Sequence, residues 1–158
     1  MTDRIKILRE YIDGVLLARP IIPQWQHPCA HLHSVALTCA LIALKRGEDA
    51  ELATMAGMLH DFYTYKYKKD FDEHGPKGAV LAREVLAELG LTSEEETEMI
   101  CTAIHNHSDK QGEFDAFTEI LIDADVMQHC LYDITMPVAD REIDRFTRLC
   151  EEFGLHEF

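Results

Sequence analysis

The sequence predicts an all-α fold, a helical bundle of about six to seven helices. Three observations carry that expectation. Apolar residues recur at helical spacing along most of the chain. No stretch shows sustained period-2 alternation, so strand signals are almost absent. Helix start and stop signals recur at short intervals, and no low-complexity tract or internal repeat interrupts them. With 158 residues the chain is long enough for one domain with a sizeable core, and 1–158 reads as that single domain.

The elements follow in order. Residues 3–18 form a first helix that must stop before Pro20. Pro20, Pro23 and Pro28 make 19–30 a stiff loop. A helix then covers about 31–46 and ends at Gly47, the residue type that best tolerates a left-handed cap. The next covers about 49–61. Residues 62–74, FYTYKYKKDFDEH, read as a loop rich in tyrosine and lysine. Pro76 suits the first turn of a helix that ends at Gly90. Thr92 followed by Glu95 has capping-box spacing and opens a helix over 93–107. Two more helices are expected at about 115–132 and 138–153.

The bulk numbers narrow the function. A formal net charge of −14 argues against a nucleic-acid backbone as partner. No apolar run reads as a membrane span. The five cysteines contain no CxxC pair and their count is odd, which fits reduced thiols in a cytoplasmic protein.

Histidine and aspartate carry the chemistry. His60-Asp61 ends the apolar stretch Leu52–Leu59, so two donors leave one helix end together. Helical phase sorts the other histidines. His33 shares a face with Leu37, Ala40, Leu41 and Leu44, an apolar stripe, whereas His31 aligns with Ser34, Val35, Thr38 and Ile42, a mixed face. His33 is therefore the expected inward residue. His107 follows Ile100, Ala103 and Ile104, and His105 points to the other side. Ala53, Ala56 and Gly57 share the face of His60 and would let a neighbouring helix come close. Asp123 and Asp125 are not separated by phase. Several inward imidazoles and carboxylates are costly to bury singly but satisfy one another around a divalent cation.

These residues resemble the HD superfamily of metal-dependent phosphohydrolases, whose pattern is His, then His-Asp, then Asp on separate helices. The match here is His33 in "HSV", His60-Asp61, and Asp125 in "LIDADVM", where the alanine before the aspartate favours Asp125 over Asp123. A narrower resemblance is to two-metal members such as bacterial HD-type dinucleoside-tetraphosphate hydrolases, through His74 in "HGPKGA" and His107 in "AIHNHS". The resemblance implies two divalent ions, of iron, manganese, nickel, magnesium or zinc. They would be held by His33, His60, Asp61, His74, His107 and Asp125, with Asp61 bridging. It implies hydrolysis of a phosphoester or phosphoanhydride in a small, nucleotide-like substrate, with Lys66, Lys68 or Lys69 balancing charge at phosphorus. Many relatives continue the dipeptide as "HDIGK"; this chain has "HDFYTYK", with its lysine at Lys66. The residue set leaves two other readings open: a di-iron oxygenase of the same fold, and a non-catalytic nucleotide-binding module. Oligomeric state is not legible.

Overall fold

In the computed structural model, which describes residues 3–18, 28–68 and 72–156, helices make up most of the described residues and no strand occurs among them. Eight α-helices and one 3-10 turn follow in order: α1 Arg4–Leu17, α2 Pro28–Arg46, α3 Ala50–Leu59, α4 Phe62–Tyr67, α5 His74–Leu89, α6 Glu94–Asn106, α7 Ala116–Tyr132, the 3-10 turn Asp140–Glu142, and α8 Ile143–Phe153.

Local chemistry sets most of these boundaries. Asp3, Asp49 and Asp115 each accept a backbone N–H from the first turn of the helix they precede. Gly47 and Gly90 take positive φ at the ends of α2 and α5. The capping box lies one residue later than Thr92 and Glu95 suggest. Ser93 accepts from the Glu96 N–H and the Glu96 carboxylate accepts from the Ser93 N–H. Thr92 instead shares a hydroxyl hydrogen bond with Thr97. Residues 62–67 are helix rather than loop, because Phe62, Thr64 and Tyr65 bury one side of a short turn of chain. α2 begins at Pro28, inside the expected 19–30 loop, whose residues 19–27 lie outside the described residues.

α2 is the central element. It packs on α3 and α7, and α6 packs on α5, α7 and α3. By length and composition alone α2 would pass as a membrane span, contrary to the sequence expectation, although here two helices cover one side of it. The core gathers Leu8 and Ile12 of α1, Leu32 and Ile42 of α2, Met55 and Met58 of α3, Phe62, and Ile100, Ile104 and Ile120.

The small residues of α3 do bring a neighbour close. A Cβ on Gly57 would stand 2.6 Å from the Ala36 Cα of α2. Only glycine allows that crossing, and the crossing holds His60 against α2. Gly57→Ala is therefore expected to cost about 2–3 kcal/mol through overpacking against backbone. That corresponds to a drop of roughly 6–10 °C in thermal midpoint for a chain of this size, read by calorimetry. An unchanged midpoint would mean that the helices separate freely.

Candidate metal centre

Five helices or helix ends deliver side chains to one buried point. His31 comes from the start of α2, His60 and Asp61 from the end of α3, His74 from the start of α5, His107 from the end of α6, and Asp125 from the middle of α7. His60 is 0% and His107 1% exposed, and His31, Asp61 and Asp125 are also buried.

The hydrogen bonding fixes which atoms face inward. His60 Nδ1–H donates to the Gly57 carbonyl at 2.8 Å, His107 Nδ1–H to the Ile104 carbonyl at 2.6 Å, and His31 Nδ1–H to Gln128 Oε1 at 2.9 Å. Each ring therefore turns an Nε2 lone pair inward. These atoms face one another: His31 Nε2 lies 3.1 Å from His60 Nε2, and His74 Nε2 lies 3.1 Å from His107 Nε2. At the His31–His60 pair, lone pair against lone pair in a buried space is unfavourable unless a proton or a cation stands between them.

The carboxylates complete two donor groups. Asp61 Oδ2 is 3.5 Å from both His31 Nε2 and His60 Nε2, and Asp125 Oδ1 is 3.7 and 3.6 Å from the same atoms. The other oxygen, Asp61 Oδ1, is 3.4 Å from both His74 Nε2 and His107 Nε2. Donors sharing one ion at about 2.0–2.2 Å stand about 3.0–3.5 Å apart. Most of these spacings fall in or near that range. Asp61 Oδ1 and Asp125 Oδ1 are moreover buried with no hydrogen-bond donor. Imidazole nitrogens with carboxylate oxygens, and no thiolate, form a donor set for borderline divalent ions such as iron, manganese or zinc. The residues present fit a cation.

Electrostatics agree. Burial alone would raise the Asp61 carboxyl, but the imidazoles of His60, His107 and His31 outweigh it and hold Asp61 well below the usual range. Burial is likewise overcome at Asp125, by Lys110 and His60. Burial pushes the His107 imidazole down, which favours the neutral form that ligates. At His60 the two carboxylates outweigh burial and push the imidazole up.

Two expected site residues lie elsewhere. His33 is replaced by His31. His33 Nε2 faces away, 2.7 Å from Asp13 of α1, and the stripe it shares is solvent-facing, with Leu37 73%, Leu41 52% and Leu44 73% exposed. α2 is apolar on more than one side, and its neighbours cover the side that carries Val35, Cys39 and Ile42. Lys66 is not brought into the group: its ammonium lies over the Phe62 and Tyr67 rings of its own helix, at 5.7 and 5.5 Å. Lys68 is an exposed left-handed cap, and Lys69 lies outside the described residues.

The cation that does touch the centre is Lys110. It is buried, and its ammonium donates to Asp125 Oδ2 and to the His107 carbonyl at 2.9 Å. It sits in the segment before α7, three residues after His107, and nothing in helical phase could single it out. Arg145 of α8 fixes that segment through the Lys110 carbonyl at 3.1 Å. Asp123, the alternative to Asp125, is occupied by Arg46 and Arg145, each at 2.7 Å. Gln128, which holds His31, was also not apparent from sequence. Tyr65 closes one side, its ring edge-on to His31 at 6.1 Å.

An all-helical scaffold here brings His, His-Asp and Asp together from separate helices. The chain matches the HD domain family over residues 29–142 and belongs to that family. Its fold is similar to that of a predicted HD superfamily hydrolase from an uncultured Thermotogales bacterium, with a TM-score of 0.61 and 18% sequence identity, covering 94% of this chain and 88% of the other. No curated protein matches the sequence.

Proposed function

We propose that this chain is a metal-dependent phosphohydrolase that cleaves a phosphoester or phosphoanhydride bond in a small, nucleotide-like substrate. The observation that carries the reading is Asp61, whose two oxygens face two separate imidazole groups. On this reading His31, His60, Asp61 and Asp125 hold one divalent ion, and Asp61, His74 and His107 hold a second. Bound there, such ions would supply a water acidified toward neutral pH and Lewis-acid sites for phosphoryl oxygens. The chain's own residues orient the imidazoles through Gly57, Ile104 and Gln128. Lys110 balances the charge of Asp125. The net charge of −14 disfavours polyanions, so a small substrate drawn in by local positive charge at the centre fits better than nucleic acid. The "HGPKGA" segment, which places His74 opposite His107, supports the narrower likeness to dinucleoside-polyphosphate hydrolases. Five free cysteines, four of them buried, suit a reducing cytoplasm.

The test is a panel of nucleotides, dinucleotides and simple phosphoesters, offered with manganese, iron, nickel, magnesium or zinc separately. Metal-dependent release of phosphate or nucleotide that stops on chelation is the expected result. Oxygen consumption with an organic substrate and no phosphate release, or nucleotide binding without turnover under every metal, would overturn it.

A further inference from the structure

We infer that His129, oriented by Glu142, is an additional ligand of the cation held by His31 and Asp125, at the open edge of the centre. His129 lies one turn after Asp125 on α7, so both side chains leave the same face of that helix. Its Nδ1–H donates to Glu142 Oε1 at 3.0 Å, and Glu142, from the 3-10 turn before α8, is buried. A buried carboxylate on one nitrogen of a histidine fixes the tautomer and makes the other nitrogen a better donor. That other nitrogen, Nε2, lies 3.3 Å from Asp125 Oδ1. The spacing again suits two donors on one ion.

Asp125 Oδ1 is also the buried oxygen that has no hydrogen-bond donor, and the Nε2 atoms of His31 and His60 approach it at 3.7 and 3.6 Å. His31, Asp125 and His129 thus bring two imidazole nitrogens and one orphaned oxygen within 4.8 Å of one another. The His129 ring stacks nearly parallel to His31, 5.7 Å between centroids at 15°. Unlike the other imidazoles of the centre, its side chain is 36% exposed. It borders a cavity of about 240 Å³ lined also by Met136, Pro137, Val138 and Arg141. A ligand at that edge can close the coordination shell and yield to an incoming substrate. The inference rests on the reading of the cluster as a metal centre.

Chelator-stripped wild type, His129→Gln and Glu142→Gln are titrated with Co²⁺, following affinity by calorimetry and ligand field by visible absorption. Circular dichroism of the metal-free proteins checks folding. The glutamine at 129 keeps a donor for Glu142 but is a poor ligand. If His129 ligates, His129→Gln weakens Co²⁺ binding by about 10–100-fold and changes the absorption bands, and Glu142→Gln shifts both in the same direction by less. Should His129→Gln fail to fold, the wild-type protein still decides, through the number of imidazole N–H resonances that Co²⁺ shifts in its proton spectrum. A signal assigned to His129 supports ligation. Wild-type affinity and bands in His129→Gln, or no shifted His129 signal, overturn it. Co²⁺ binding with no phosphoester turnover by wild type would remove the hydrolase reading and leave this one standing.

Discussion

Asp61→Asn is expected to abolish cation binding on both sides of the centre and to lower metal-dependent turnover by at least about a thousandfold. One carboxylate serves both donor groups: Oδ2 meets His31 and His60, and Oδ1 meets His74 and His107. Asparagine keeps the shape but removes the charge and turns one oxygen into an N–H donor aimed at inward lone pairs. A factor of a thousand is about 4 kcal/mol, the scale on which charge stabilisation at a transition state acts. Binding gives a second readout. Saturating wild type at about 100 times the dissociation constant adds about 2.7 kcal/mol of stability, or roughly 5–10 °C in midpoint. Asp61→Asn should lose that metal-dependent rise while its metal-free form still melts cooperatively. A variant that keeps both turnover and the metal-dependent rise would show that Asp61 is not shared.

How far the sequence revealed this centre depends on where each residue sits. His60 and Asp61 were legible because a polar pair terminates an otherwise apolar helix. His107 was legible because α6 has a single apolar face, against a first turn of three glutamates. Gly57 was legible as a close crossing because no side chain there could fill space. The segment Phe62–Tyr67 was not, since a six-residue helix is too short for periodicity and takes its stability from burial of Phe62 and Tyr65. Lys110, Gln128 and the His129–Glu142 pair depend on contacts between segments distant in sequence. His129 is legible one turn after Asp125 on the same face, whereas Lys110, Gln128 and Glu142 became visible only once α7 and α8 were in place.

His31 and His33 provide the sharpest contrast between phase and packing. Hydrophobic phase identifies an apolar face but does not say which apolar face meets a neighbour. On α2 the leucines at 37, 41 and 44 outweigh Val35 and Ile42 in any moment, yet Val35 and Ile42 are fully buried and the leucines are exposed. The better signal was the small residues Ala36 and Cys39, which mark the side where α3 crosses at Gly57. His31→Ala should therefore remove three inward contacts, to His60, Asp61 and Asp125, and leave Gln128 buried without its partner. Loss of measurable metal from the His31–Asp125 side and a fall in metal-dependent turnover of about a thousandfold or more are expected. His33→Ala removes a part-buried hydrogen bond to Asp13 and should cost about 1 kcal/mol of stability or less, with metal content and turnover unchanged. Metal analysis of the two purified variants side by side decides the matter. Full metal in His31→Ala together with its loss in His33→Ala would restore the phase assignment and reject the packing of α2 described above.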